Sequence, residues 1–268
     1  MRRLIRLSVT PVKALRLSHP REAEITEAGI PADRRFYLVD DAGALFDASD
    51  HHGLLRVVPD YDPETERLRL AFPDGSVVED EADRTGEETT TDFFGRTVTG
   101  RIVHGTFAEA LSAYVGAPLR LVRATRDGES QDVHPLTIVS SASVRHLGTR
   151  GDRGELDARR FRITLEIEGC EPYEEDTWEG RDVRIGDVTI RVRGQIPRCV
   201  VTTLAPDSGE KDFRTLNHLA RYRPRIGGKG GLPFGMYAGA VRTGRVRVGD
   251  PVEPVSSGRM PSTSAAGP

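Results

Sequence analysis

The sequence has few of the features that mark secreted, membrane or nucleic-acid-binding chains. Only two of its 268 residues are cysteine, so a disulfide framework is excluded and we expect a reduced, cytoplasmic protein. No apolar run approaches the roughly 18 residues of a membrane helix, and the N-terminus lacks the apolar core of a signal peptide. The net charge of −3 gives no basic excess for a nucleic acid. We therefore expect neither a membrane nor a nucleic acid as a partner.

Lysine is also scarce. The 38 basic residues include only three lysines, which are Lys13, Lys211 and Lys229. The chain is 29% charged and 37% hydrophobic, which is ordinary for a soluble globular protein. Lys13 stands out in so arginine-rich a chain. It comes directly after Pro11-Val12, where a strand-like segment ends.

Short strands with turns account for most of the chain. Several segments before residue 100 alternate polar and apolar residues, and "AFPDGSVVE" has the Pro-Asp-Gly signature of a hairpin turn. This pattern predicts a small β-barrel or sandwich over residues 1–100 and a second, mostly β domain over 101–255. The Ser-, Pro-, Gly- and Ala-rich tail 256–268 is predicted to be disordered.

Helical spacing occurs in only three places. Segment 107–115 ends at Gly116, a second helix follows a serine cap near residue 141, and a third surrounds Leu216 and Leu219. The acidic, Thr-rich segment 79–92 is predicted to be an exposed loop, and the alternation over 161–168 predicts a strand. No repeated strand–helix–strand pattern appears. We therefore predict a mainly β, α+β fold without a parallel nucleotide-binding sheet.

The two cysteines have different surroundings. Cys199 follows Pro197-Arg198 at the head of the apolar run "CVVTTL". A neighbouring cation and a turn past the strand form a setting that stabilises a thiolate, while a small buried hydrophobe is the alternative. Cys170, in "EGCEP" at a strand end, is expected to be structural.

Several motifs together resemble a known family. "TPVKAL" and "GIPADRRFYLVDDAG" are similar to the N-terminal β-barrel domain that precedes MOSC domains. "PRCVVTTLAPDSGE", the "EDTW" element and the terminal "GDPV" resemble the MOSC domain, a fold shared with molybdenum cofactor sulfurases. The match spans about residues 2–255, in a layout similar to the molybdenum-containing amidoxime-reducing enzymes. It implies an N-terminal barrel and a MOSC barrel with a pterin–molybdenum cofactor between them, and reduction of N-hydroxylated compounds.

The resemblance implies catalytic roles for two residues. Cys199 matches the cysteine that binds molybdenum through its thiolate, a soft ligand suited to that metal. Asp132 matches an acidic position near the metal, where it would position a small-molecule substrate or relay protons. His134 lies beside it in the sequence and titrates near neutral pH.

Five further residues are implied to bind the cofactor. Lys13, Arg34 and Arg162 match positions that contact the anionic pterin phosphate, which needs converging cations. Thr164 and Arg198 complete the cofactor-binding set.

Three positions depart from the pattern of the relatives, and each departure removes a hydrogen-bonding group. Ala14 stands where a serine is common, Ile163-Thr164 replaces Pro-Asn, and Pro197 stands where a serine is often found. These departures leave three alternatives open. The chain could be a sulfur carrier that forms a persulfide on Cys199 and depends on a separate desulfurase, a module that holds or inserts the cofactor, or a MOSC-fold biosynthetic enzyme with a changed reaction. As a reductase without a Cys-rich segment, it would take electrons from a separate donor protein.

Overall fold

Strands are the main regular structure of the fold, as the sequence predicts. A computed structural model describes residues 1–83, 85–227 and 230–255. The disordered tail predicted for 256–268 lies outside the described residues. Within them, short strands and three short α-helices build an N-terminal barrel and a second barrel, which confirms the predicted mainly β, α+β class.

The elements follow the chain in this order. The strands are β1 (Arg3–Leu7), β2 (Glu22–Ile25), β3 (Phe36–Asp40), β4 (Leu45–Phe46), β5 (Val58–Asp62), β6 (Arg67–Ala71), β7 (Val77–Glu81), β8 (Thr85–Asp92), β9 (Thr97–Val103), β10 (Leu119–Ala124), β11 (Leu136–Ser140), β12 (Leu165–Glu168), β13 (Asp182–Ile185), β14 (Val188–Arg198), β15 (Leu232–Arg242), β16 (Gly244–Arg247) and β17 (Val252–Pro254). The helices are α1 (Phe107–Val115), α2 (Ser141–Arg150) and α3 (Thr215–Leu219). None of the helices in the described ranges has the length and apolar character required to cross a bilayer.

The N-terminal part is built from two antiparallel sheets. One has the order β4-β3-β10-β9-β8, and the other is the meander β5-β6-β7. Their apolar faces enclose a core that includes Phe36, Leu68 and Leu121, and α1 closes it with Phe107 and Leu111. Strand β10 extends this sheet beyond residue 100, and the domain boundary at that residue stays a prediction.

The second part is a seven-stranded sheet that curls into a nearly closed barrel. Its order is β1-β12-β11-β15-β14-β13-β17. The two edges meet, because Leu4 N donates to Asp250 O over 2.9 Å and Val252 N donates to Arg2 O over 3.0 Å. The first strand of the chain therefore belongs to the second barrel, and the chain passes from one barrel to the other just before Lys13.

Two helix ends follow the chemistry that the sequence shows. Gly116 ends α1 with a φ of 76°, a left-handed conformation that favours glycine. Ser140 caps α2, since its side chain accepts a hydrogen bond from Ala142 N over 3.1 Å. Both helices predicted from these signals are confirmed.

The loop predicted for residues 79–92 is wrong. Strand β7 continues to Glu81, and β8 covers residues 85–92, paired with β9. The segment is charged, but its run of threonines is β-branched and fits a pleated edge that faces water on one side. The charged composition therefore indicated exposure to solvent, and the exposed segment is a strand rather than a loop.

The strand predicted for residues 161–168 is too long. Residues Ala158–Phe161 form a 3-10 turn, Arg162 has a φ of 53°, and β12 begins only at Leu165. The Thr164 backbone N–H donates to Thr137 Oγ1 over 2.8 Å. This side-chain partner takes the place of a strand neighbour and frees Arg162 to turn away from the sheet.

Candidate active site

A cleft between the two barrels brings six of the seven predicted site residues together. It has a volume of about 130 Å³. The six residues that line it are Lys13, Arg34, Asp132, Arg162, Arg198 and Cys199. Residues from both ends of the chain meet here because β1 joins the second barrel and the chain then crosses to the first.

Cys199 lies at the point where β14 ends. The strand runs to Arg198, and Cys199 precedes a 3-10 turn over Val200–Thr203. Thr202 fixes this turn, since its hydroxyl donates to Cys199 O over 2.9 Å. The residue is exposed and its thiol is free, so a ligand in the cleft can reach the sulfur.

The expected stabilisation of a Cys199 thiolate is not found in the protein alone. Partial removal of water by the walls of the cleft raises the pKa of the thiol, and the carboxylates of Asp47 and Asp132 raise it further. The Val201 N–H and the Arg198 cation act in the opposite direction and are outweighed. The group is therefore a thiol at neutral pH, and a bound cation would be needed to hold it as a thiolate.

Cys170 has the structural character that the sequence predicts. It is half-buried beside the core of the second barrel. Burial raises the pKa of its thiol to about 11, with a further contribution from Glu174 and Glu175. The two cysteines thus differ in access to solvent.

Lys13 and Asp132 form an ion pair on the wall of the first barrel. The lysine side chain is 9% exposed and the carboxylate 53% exposed, so the pair is open to solvent on one side. Burial raises the pKa of Asp132, but the charge and hydrogen bond of Lys13, with Arg34 and Arg198, outweigh it and leave the pKa at about 2. Asp132 is therefore ionised at every physiological pH.

Arg34 is held by a buried carboxylate network. Asp33 pairs with the Arg34 guanidinium and also accepts from Thr10 N over 2.8 Å and from Gln131 Nε2 over 2.9 Å. Arg34 Nη2 then donates to Arg162 O over 3.0 Å and so links the walls. Asp33 and Gln131 were not identified as site residues from the sequence. The position of an acidic residue, Asp33, directly before Arg34 was the signal that could have identified it.

Arg162 and Arg198 are held by backbone carbonyls instead. Arg162 Nη2 donates to Leu15 O over 2.7 Å, and Arg198 donates to Phe234 O over 2.7 Å and to Phe161 O over 3.0 Å. No carboxylate within the described ranges forms an ion pair with either guanidinium. Removal from water lowers the pKa of both to about 10, and for Arg162 the Arg34 charge lowers it as well. Both remain cations at neutral pH, and the nearby carboxylates act on them without forming an ion pair.

Thr164 is the predicted site residue that does not line the cleft. It is 1% exposed, and its hydroxyl lies 3.0 Å from the Thr137 hydroxyl. Thr137 is the residue that lines the cleft. Thr164 therefore supports the wall through Thr137 rather than contacting what the cleft holds.

Two polar rings that the motifs do not include also line the cleft. His134 and Tyr237 pack edge to face with their centroids 5.4 Å apart. Burial and the charge of Arg193 lower the pKa of His134, so its imidazole is neutral at pH 7. Burial, together with the charge of Asp132, raises the pKa of Tyr237 to about 12. His134 was noted in the sequence for its titration only, and Tyr237 was given no role there.

A smaller cavity of about 20 Å³ adjoins the cleft and shares Arg160, Arg162 and Val201 with it. Its other cations are neutralised: Arg16 and Arg159 both pair with Asp207. The larger cleft combines an accessible sulfur with two guanidiniums that form no ion pair among the described residues, and this makes it the candidate active site.

The residues of the cleft fit an anionic cofactor with a soft metal. Counted over the residues that the structure describes, five cations line it against two carboxylates, which are Asp47 and Asp132. The Arg198 Nη2 atom is buried without a hydrogen-bond partner among the described residues, and an anionic oxygen would satisfy it. Ala14, with a φ of 74°, and Pro197 also line the cleft, so two of the three sequence departures lie where they would affect a bound group.

Comparisons with known proteins cover most of the chain. The profile of the MOSC N-terminal beta barrel domain matches residues 1–118, and that of the MOSC domain matches residues 125–253. Mitochondrial amidoxime reducing component 2 of Rattus norvegicus is 38% identical over 127 residues, which are 45% of this chain and 37% of that protein. The Homo sapiens protein of the same name is 27% identical over 276 residues, which are 92% of this chain and 82% of that protein.

Among solved structures, the YUAD protein from Bacillus subtilis matches 95% of this chain and 96% of that chain, at 11% identity and a TM-score of 0.47. The two domain profiles occur in the order that the motifs predict, and together they span both barrels. The resemblance found in the sequence is confirmed: the chain belongs to the MOSC-domain family, with a MOSC N-terminal β-barrel in front of its MOSC domain.

Proposed function

We propose that this protein binds a molybdenum cofactor in the cleft and reduces the N–O bond of N-hydroxylated small molecules. The convergence of Cys199 with Arg162 and Arg198 carries the proposal, because it places a soft sulfur beside two cations that have no ion-pair partner in the part of the chain that the structure describes. The names of the relatives, which are amidoxime-reducing components, support the same reaction class.

Each wall of the cleft would contribute to holding the cofactor. Cys199 would supply one sulfur ligand to the metal, and a bound metal would lower the pKa of the thiol and hold it as a thiolate. Arg162, Arg198 and Arg34 would bind the anionic pterin phosphate. When bound, the cofactor supplies oxygen-atom transfer and two-electron redox chemistry.

The residues around the metal position would manage substrate and protons. Breaking the N–O bond releases the oxygen as water and consumes two protons and two electrons; the electrons would come from a separate donor protein. With a pKa of about 2, Asp132 cannot donate a proton at neutral pH, so it would accept a hydrogen bond from the substrate and orient it. His134 lies at the cleft wall, and its neutral imidazole has one N–H donor and one acceptor nitrogen, so it is the side chain suited to relay a proton.

The alternative of a sulfur carrier has one observation against it. A carrier must attack a desulfurase persulfide with a free thiolate, and the pKa of Cys199 is raised in the protein alone. We therefore prefer the reductase function to the sulfur carrier. The cytoplasm remains the proposed location.

Metal and pterin content test the proposal. The wild type, Cys199→Ala and the matched control Cys170→Ala are produced in a host that makes the cofactor. We expect near-stoichiometric molybdenum and pterin in the wild type and in Cys170→Ala, and pterin without molybdenum in Cys199→Ala. The wild type should also reduce an amidoxime when a chemical reductant supplies electrons.

Two results would contradict the proposal. One is a wild type that contains neither molybdenum nor pterin, and the other is a Cys199→Ala variant with undiminished metal. A mass gain of one sulfur atom on Cys199 after desulfurase treatment, in metal-free wild type, would then favour the sulfur carrier.

A further inference from the structure

The turn between β8 and β9 has an unusual residue at the mouth of the cleft. Phe93 N donates to Arg96 O over 2.7 Å and Arg96 N donates to Phe93 O over 3.2 Å, so Phe94 and Gly95 form a two-residue hairpin loop. Their φ angles are 58° and 92°. Positive φ at both central residues is the signature of a type I′ turn, for which Asn-Gly is strongly preferred.

Neither the backbone nor the core explains the phenylalanine. A bulky side chain in the left-handed region is strained, whereas asparagine adopts it readily. The Phe94 side chain is 69% exposed, while its neighbour Phe93 is 1% exposed and packs edge to face on Tyr37 at 5.0 Å. A local conflict of this kind, with no gain in packing, is expected at functional positions.

The Phe94 ring lies close to the reactive part of the cleft. It lines the cleft, and its centroid is 6.0 Å from Lys13 Nζ, whose partner is Asp132. The turn is tied in place, because Arg96 Nη2 donates to Gln131 O over 2.5 Å and to Asp132 O over 3.2 Å. The turn that carries the ring is therefore fixed beside the Lys13–Asp132 pair.

A second apolar side chain extends this surface along the rim. Val133, directly after Asp132, is 58% exposed on the segment that Arg96 holds. A small polar substrate would leave both apolar side chains in water, whereas an aromatic ring bound at the mouth would cover apolar surface.

We propose that Phe94 is a specificity-determining residue that stacks on a planar apolar part of the substrate, so that preferred substrates carry an aromatic ring beside their N–O group. This inference rests on the proposed function. Phe94 acts on binding and takes no part in the chemical step.

The variant Phe94→Asn separates the ring from the stability of the turn. Asparagine suits the left-handed position, so we expect the midpoint of thermal unfolding to be unchanged or higher. For a phenyl amidoxime, kcat/KM should fall roughly three- to tenfold, mainly through KM, as expected for one lost aromatic contact. For the matching methyl amidoxime, kcat/KM should stay the same. Phe94→Tyr should retain the preference for the phenyl compound.

Val77→Asn is the matched control, since Val77 is also exposed (46%) but lies on β7 and does not line the cleft. It should change neither kcat/KM. Equal kcat/KM values for Phe94→Asn and wild type with the phenyl compound would overturn the inference while leaving the reductase function intact. The same would follow from an equal loss with both compounds.

A calorimetric titration gives a readout independent of turnover. Benzamidine and acetamidine, the amidines that the two reductions would produce, are titrated into wild type and Phe94→Asn. Weaker binding of benzamidine alone to Phe94→Asn supports the stacking role of Phe94. If the wild type also reduces neither amidoxime, the proposed function fails while this stacking role stands. Equal binding of benzamidine to the two proteins overturns it.

Discussion

The two walls of the cleft hold their cations in opposite ways. On the wall of the first barrel, Lys13 pairs with Asp132 and Arg34 pairs with Asp33. On the wall of the second barrel, Arg162 and Arg198 donate to backbone carbonyls and have no paired carboxylate within the described ranges.

The wall with paired cations mainly fixes the positions of its side chains, whereas the wall with carbonyl-held cations keeps a net positive charge. The charge of a paired cation is largely balanced by its carboxylate. Paired cations therefore fix side-chain positions and attract a further anion only weakly. Carbonyl-held guanidiniums keep a full positive charge in a site removed from water, where a bound anion gains more from it. The second-barrel wall is therefore the stronger candidate for holding an anionic cofactor, and the first-barrel wall for orienting the substrate.

The largest expected effect is on stability and comes from the paired wall. Asp33 is 4% exposed and is the acceptor for Arg34, Thr10 and Gln131. Asp33→Ala should lower the free energy of unfolding by about 3–5 kcal/mol, since it leaves a buried cation and two buried donors unpaired.

Chemical denaturation measures this change. Asp127→Ala is the control, because Asp127 pairs with Arg35 while 57% exposed, and its loss should change the free energy by less than about 1 kcal/mol. Similar values for the two variants would show that the paired wall is not structurally important.

A second prediction concerns the carbonyl-held wall and affects binding more than stability. Arg198→Met keeps the length of the side chain and removes its charge, so pterin retained after purification should fall on the order of tenfold or more. The free energy of unfolding should fall less than in Asp33→Ala. The substitution removes two hydrogen bonds to backbone carbonyls, but it also removes a buried positive charge, whose burial is unfavourable, and the two effects partly cancel. Pterin release and denaturation are measured on one preparation; full pterin retention would contradict the assignment of Arg198.

A third prediction is a pH dependence from the Lys13–Asp132 pair. The pKa of Asp132 is about 2 in the folded protein, below the ordinary value near 3.9, so the pair stabilises the fold above about pH 4 and loses this effect as the pH falls towards 2. Because the carboxylate is 53% exposed, the contribution is at most about 1 kcal/mol.

Unfolding of the wild type and Asp132→Asn between pH 6 and 2 checks this dependence. The difference in free energy between the two should shrink as the pH falls. A constant difference would show that the ion pair does not titrate as described.

The smallest expected effect concerns the Cys199 thiol in the metal-free protein. Asp47 raises its pKa and Arg198 lowers it, so Asp47→Asn should speed alkylation by iodoacetamide at pH 8, and Arg198→Met should slow it. Each change should be roughly two- to threefold, as expected for a single charge near an exposed group. Alkylation is followed by intact mass with Cys170→Ala as background; opposite signs would contradict the charge assignment.

Predictions from local chemistry were accurate where the signal was itself local. Gly116 and Ser140 ended and capped their helices as predicted, because each acts through backbone groups a few residues away. The strand β8 was missed because a charged composition resembles that of a loop, and pairing with β9 decided its conformation. With it the Phe94 turn was missed, since a Phe-Gly pair lacks the usual Asn-Gly signal.

The sequence alone determined the family and the mainly β class, because these depend on motifs and on periodicity that neighbouring residues carry. It left open whether Cys199 is buried, and only the structure shows that it is exposed. The sequence also could not determine which cations lack a paired carboxylate. That property depends on which carboxylates and carbonyls the fold places around Arg162 and Arg198, and these come from segments far away in the chain. The raised pKa of Cys199 has the same origin, since removal from water is a consequence of how the two barrels enclose the cleft.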